Sequence, residues 1–172
     1  MRNRRLAYFV HSVEALSEWS GRLVAFLLLG MAAVVLIEVV ARYFFQRPTI
    51  WGHESAQLLF AAYAIMPGAY TLRHKAHVNM DLIYSRQSAR VRAILDLCTS
   101  VFFFFWCTIF LWVGADYAAQ SIARWEHSVS VWAPPIWEVK IAIPLAGFLI
   151  ILQGIVKFIR DLSIATTGKD LE

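Results

Sequence analysis

Arg73, His77 and Asp81 stand four residues apart in the stretch RHKAHVNMD, so on a helix they fall on one face. Such a face can hold ion pairs, Asp81 with His77 or with Arg73. His74, His77 and Asp81 offer three mixed metal ligands without a fourth, short of a closed tetrahedral set. A solvated or paired histidine is therefore the expectation, with no metal. A second charged pair, Glu38 and Arg42, has the same spacing inside an apolar run. It forms either an internal salt bridge with Arg42 reaching toward the interface or a contact with a neighbouring subunit. Haem is the other chemistry to weigh. Haem b needs histidines that face one another inside a bundle, whereas His11, His53, His74, His77 and His127 all fall outside or at the ends of apolar stretches. Cys98 and Cys107 lie about 13 Å apart along one helix and cannot form a disulfide with each other. No nucleophile elbow, phosphate-binding glycine loop, zinc signature or catalytic carboxylate pair occurs, so no enzymatic activity and no cofactor are expected.

The elements that carry these residues follow from composition. Hydrophobic residues make up 59% and charged residues 16% of the chain, and the mean hydropathy is +0.57. A soluble domain has roughly a quarter charged residues, so this is a membrane protein. Four apolar stretches each approach the ~20 residues needed to cross a ~30 Å hydrocarbon core. The expected architecture is an all-α integral membrane protein forming one domain over 1–172. It comprises an amphipathic surface helix over 5–19, crossings over 21–44, 50–72, 92–118 and 137–159, an amphipathic cytoplasmic loop over 73–91, an outer loop over 119–136 and a tail over 160–172. Basic residues set the orientation. Arg2, Arg4, Arg5, Arg22, Arg73, Lys75, Arg86, Arg90, Arg92, Lys157, Arg160 and Lys169 fall on one side, and Arg42, Arg47 and Arg124 on the other, with Lys140 just inside the last crossing. Both termini are thus expected in the cytoplasm. The net charge of +4 reads as topology and contact with anionic lipid, not as a nucleic-acid surface.

Packing features recur along the chain. Leu6, Phe9, Val10, Val13 and Leu16 form the apolar stripe of the surface helix. Pro48 ends the first crossing and Thr49 is placed to cap the next helix. Trp51 suits an outer interface, and Glu54 complements a helix dipole. Ala64 and Gly68 offer a close-packing face, and Pro67 is expected to kink the helix between them. Gly114 with Ala118, and Gly147 with Gly154, offer further close-packing faces. Trp125, Trp132 and Trp137 on the outer loop form either an aromatic belt or a docking surface for an extracytoplasmic partner.

The series Glu38 and Arg42, Trp51 and Glu54, Gly68-Ala69, Arg73, His77-Val78 and Asp81 resembles the small membrane (Q) subunit of tripartite ATP-independent periplasmic (TRAP) transporters. His53 stands where many relatives carry a second acidic residue. The resemblance implies a bacterial inner-membrane complex in which this subunit binds a large multi-spanning permease that carries sodium and substrate. A periplasmic substrate-binding protein would deliver an organic acid such as a dicarboxylate, keto acid or sugar acid. Close-packing faces then fit a stationary scaffold, with Arg73, His77 and Asp81 holding the large subunit. The alternative from another class is a membrane anchor or haem-type electron-transfer subunit.

Overall fold

The computed structural model describes residues 2–74 and 89–167. Its described helices are α1 (Arg2–Tyr43), α2 (Gly52–Ile65), α3 (Gly68–Arg73), α4 (Ala89–Ala123) and α5 (Trp137–Thr167). Among the described residues there is no β-strand, only an isolated bridge between His127 and Pro135. Among the described residues three helical stretches are long and apolar enough to cross a membrane: Val10–Tyr43, Arg90–Ala123 and Trp137–Thr166.

The segment expected as the second crossing is interrupted. Proline lacks an N–H and its ring clashes with the preceding turn, so α2 stops at Ile65 after 14 residues and α3 adds 6. Met66 N–H reaches Ala62 O at 3.1 Å and Thr71 N–H reaches Pro67 O at 2.9 Å, closing the ladder on either side of the break. Fourteen residues cover about 21 Å, short of a ~30 Å core. Where the sequence predicts one kinked helix over 50–72, the chain forms two.

The first segment departs in the opposite sense. Residues expected as a surface helix over 5–19 and a crossing over 21–44 form one helix of 42 residues, about 63 Å long. Gly21, where a bend would fall, instead seats Tyr70: a Cβ there would lie 2.3 Å from Tyr70 Cδ2. Glycine serves close approach here, not hinging. Of the stripe expected to lie on lipid, Val10 and Val13 turn inward onto Val156 and Leu152 of α5, while Leu16 stays exposed. Ser17, Ser20 and Val24 continue the buried line, and Ser17 Oγ donates to Gln153 Oε1 at 3.0 Å. A hydrogen bond between buried groups fixes the register of α1 on α5.

Helix α5 is the hub, touching α4, α3, α2 and α1, while α1 also lies along α2 and α3. The α4–α5 contact is the most extensive of the bundle. Its seam is built on small residues: a Cβ would come within 2.7 Å of Ile143 at Gly114, 3.1 Å of Phe110 at Gly147 and 2.4 Å of Phe103 at Gly154. Ala118 is buried one turn beyond Gly114, as the spacing predicts. Close backbone approach of this kind drives helix association where lipid removes the hydrophobic incentive. The outward sides remain apolar. Phe102, Trp106 and Trp112 of α4 and Phe26 and Leu29 of α1 are exposed, Trp112 at 76%. Such large apolar surface marks contact with membrane or with another protein.

Candidate functional site

Polar side chains collect at the two ends of the bundle. One end carries the turn after α1 and the loop before α5; the other carries Glu14 and Glu18 of α1, the end of α3 and Arg160 of α5.

At the loop end, Arg42 donates to Glu38 Oε1 from Nη2 at 2.6 Å and from Nε at 3.2 Å. Glu38 Oε2 accepts the Thr49 N–H at 3.1 Å and the Thr49 hydroxyl. Thr49 Oγ1 in turn accepts the Gly52 N–H at 3.0 Å, which satisfies an orphan amide at the start of α2. Glu38 and Arg42 therefore pair within the chain and lock the turn from α1 to α2. Trp51 precedes α2 half-buried and makes no side-chain cap. Glu54 is tied across the bundle, since Ser130 Oγ donates to its Oε2 at 2.5 Å.

The loop that carries Ser130 is a folded unit. Glu126 N–H reaches Ser121 O at 3.1 Å and Trp125 N–H reaches Ile122 O at 3.0 Å, the paired bonds of a Schellman ending. Trp125 occupies its left-handed position with φ 47°, a conformation that costs a non-glycine residue about 1–2 kcal/mol. Its ring meets Trp137 edge-on at 5.8 Å. Ser128 N–H bonds Pro134 O at 2.9 Å and Ile136 N–H bonds Glu126 O at 3.1 Å, folding the loop on itself. Glu126 Oε2 accepts Lys140 Nζ at 2.5 Å and Ser121 Oγ at 2.6 Å. The Lys140 bond, then the Ser121 bond, hold the Glu126 carboxyl below its ordinary pKa. Lys140 Nζ also lies 4.2 Å from the Tyr117 ring centroid. Trp125 and Trp132 present exposed faces beside Val129 and Val131, while Trp137 is half-buried behind them.

At the opposite end Glu18 is the centre. Its Oε2 accepts Arg73 Nη1 at 2.9 Å and lies 3.3 Å from His74 Nε2, and Arg22 Nε stands 3.8 Å from Oε1. Arg73 Nη1 also donates to Glu14 O at 2.8 Å, and Arg160 Nη2 lies 2.6 Å from Glu14 Oε1. Arg73 is thus turned onto α1, and it pins the end of α3. His77 and Asp81, expected on the same face, lie outside the described residues. Ala64 and Gly68 do not form one continuous small face, because the helix breaks between them. Ala64 is exposed, a Cβ on Gly68 would meet Ile150 Cδ1 at 2.5 Å, and Ala69 is the residue that is buried.

Glu14, Glu18, Arg160 and the Glu126–Lys140 pair were not singled out by sequence reasoning. Glu14 and Glu18 had a usable signal: they lie four residues apart beside Val10, Val13 and Ser17, acidic residues where a lipid-facing helix would carry basic ones. Among the described residues no three His, Cys, Asp or Glu side chains gather as metal ligands. Cys98 and Cys107 are free thiols. What these contacts do chemically is hold helices in one arrangement.

Long apolar helices closed at both ends by internal polar locks define an integral membrane component that keeps its own shape. The family model of tripartite ATP-independent periplasmic transporters, DctQ component, matches residues 31–163. The chain belongs to that family, a transporter component and not an enzyme family. One relative is the sialic acid TRAP transporter permease protein SiaT of Haemophilus influenzae (strain 86-028NP), 22% identical over 102 residues. That match covers 59% of this chain and 16% of the relative. The family match includes both loop-end clusters and leaves Glu14 and Glu18 outside.

Proposed function

We propose that this chain is the small permease subunit of a TRAP transporter in a bacterial inner membrane, acting as a fixed scaffold for a large multi-spanning permease. One observation carries the reading: ion pairs within the chain, Glu38 with Arg42 and Glu18 with Arg73, close the two ends, while α1 and α4 present wide apolar faces outward. A body held rigid from within, with open apolar flanks, suits the stationary partner of a moving domain.

In this reading α2 and α3 together make a fourth crossing, with the break at Pro67 accommodated by neighbouring helices. Both termini lie in the cytoplasm, on the side rich in lysine and arginine. Sodium and substrate pass through the large permease, and a periplasmic binding protein brings the substrate to it. An organic acid fits, since the relative's name refers to sialic acid. A relative in which the matched region is 16% of the length leaves room for the large permease in the same polypeptide. Trp125 and Trp132 form the face toward the binding protein, supported from behind by Trp137. Ala64, exposed on α2, and the Arg73, His77 and Asp81 segment contribute to contact with the large permease, Arg73 by fixing α3 to α1.

Co-expression with the large permease tests this. The two should purify together through a tag on either one, and Ala64→Leu should weaken their association while leaving the thermal stability of the chain unchanged. A chain that purifies without the permease when both are present in the membrane contradicts the reading.

A further inference from the structure

The turn between α1 and α2 carries Tyr43, Phe44, Phe45 and Ile50, four large apolar side chains that are each 68–81% exposed. The backbone beneath them is nonetheless held. Phe44 N–H reaches Val40 O at 2.9 Å, Arg47 N–H reaches Ala41 O at 3.0 Å, and Glu38 Oε2 accepts the Thr49 N–H on the far side of the turn. The exposure is therefore built into a fixed turn and is not the fraying of a helix end. Arg47 stands exposed among these side chains, and among the described residues no ion pair occupies its guanidinium.

The depth of the turn follows from charged residues along two helices. Glu18 and Glu38 of α1 are twenty residues apart, and so are Asp96 and Asp116 of α4, about 30 Å in each case. That equals the thickness of a hydrocarbon core, which has a head-group layer of about 5–8 Å on each side. Tyr43 lies about 8 Å beyond Glu38, so the turn falls at head-group level at the loop end. Tyr43 also continues the exposed face of α1 that runs through Leu36 and Val39, at spacings of three and four. One uninterrupted apolar face thus leads from the hydrocarbon into the turn. Contiguous exposed apolar surface marks a binding surface. At this depth a lipid leaflet meets both of its features, because aromatic and aliphatic side chains reach the acyl boundary while a cation meets phosphate.

We propose that the α1–α2 turn is a lipid-surface anchor. Tyr43, Phe44, Phe45 and Ile50 insert into the leaflet at the loop end, and Arg47 pairs with a phospholipid phosphate. Glu38 joins the turn to α1 through Arg42 and to α2 through Thr49, so anchoring the turn fixes the depth of both helices. The proposal rests on the chain being embedded in a membrane.

Photo-crosslinking tests it. p-Benzoylphenylalanine takes the place of Phe44 or Phe45 in the full chain, held in nanodiscs of anionic phospholipid, first alone and then with the large permease and binding protein added. Intact-mass measurement after illumination identifies the adduct. Phospholipid adducts are expected at both positions in both settings. R47E should lower the yield at Phe44 severalfold, and R47K should retain it. The same reporter at Phe26, about 12 Å along α1 from Glu18, separates this proposal from the reading it rests on. Lipid adducts at Phe26 of the chain alone, with none at Phe44 or Phe45, leave the chain embedded and overturn the anchor; none at any of the three overturns the embedding as well. Adducts of Phe44 or Phe45 with the permease or the binding protein would assign the patch to that protein and overturn the lipid surface. An unchanged yield in R47E overturns the phosphate contact.

Discussion

Where α4 meets α5, glycines at 114, 147 and 154 let large side chains of the facing helix sit against backbone. Where α1 meets α2 and α3, the joints are polar: Glu38 with Thr49 at one end, Glu18 and Glu14 O with Arg73 at the other. The difference traces to Pro67. A continuous helix can zip along its neighbour through a small-residue seam, and α4 and α5 do so over most of their length. An interrupted segment offers no such rod, so it is pinned at its start through Thr49 and at its end through Arg73. Glycine contacts on that side sit at the same joints, Tyr70 against Gly21 and Glu38 against Gly52. Rigidity in this protein therefore has two sources, and they fail differently.

The seam should break hardest. Gly154→Leu forces a side chain into Phe103, whose Cε1 is 2.4 Å from the Cβ position, and overpacking of this kind costs about 1–3 kcal/mol. A clear fall in the thermal midpoint in nanodiscs is expected, with Gly30→Leu as control, because nothing lies within 4 Å of a Cβ there. Equal midpoints for the two variants would remove the seam from the account of stability.

Next comes the pin at the start of α2. Glu38→Ala leaves Arg42 and Thr49 without their acceptor, and hydrogen exchange at the Thr49 and Gly52 amides should accelerate while amides of α4 keep their protection. Acceleration spread evenly over all helices would show that the two halves are not separately held. A smaller effect is expected for Ser17→Ala, which removes the buried bond to Gln153. Interhelical hydrogen bonds in membranes average ~0.6 kcal/mol and reach ~1.7, so loss of more than that would point to a larger network around Gln153.

The smallest effect belongs to pH. The folded carboxyl of Glu126 is held below its ordinary pKa, so its ionised form is the one the fold favours. That contribution is present above the ordinary carboxylate pKa and is lost as pH falls through the lowered value. Exchange at the Ser128 and Ile136 amides should stay slow at neutral and mildly acidic pH and rise only below the ordinary carboxylate range. A rise already at neutral pH would show that the Glu126 carboxylate does not hold the loop.

The helical, membrane-crossing character was legible in the sequence because apolar length is a one-dimensional signal. The Thr49 bond to the start of α2 and the Gly114–Ala118 face follow from spacing, whereas spacing left Glu38 and Arg42 open between an internal pair and a subunit contact, and the internal pair is what forms. What spacing did not reveal is direction. The Val10–Val13 stripe has the same periodicity whether it faces lipid or α5, and only the partner residues Val156 and Leu152, more than a hundred positions away, decide it. Pro67 announces a disturbance, yet whether a helix bends or separates depends on the neighbours that hold its two pieces. Arg73 looked available to a partner because Glu18, its partner within the chain, lies 55 residues earlier.

Reconstitution into proteoliposomes addresses the central proposal most directly. Uptake of an organic acid driven by a sodium gradient would be measured with the large permease and binding protein, with and without this chain. A scaffold predicts uptake only when all three are present and none from this chain alone. Uptake by the isolated chain, or undiminished uptake in its absence, would contradict it.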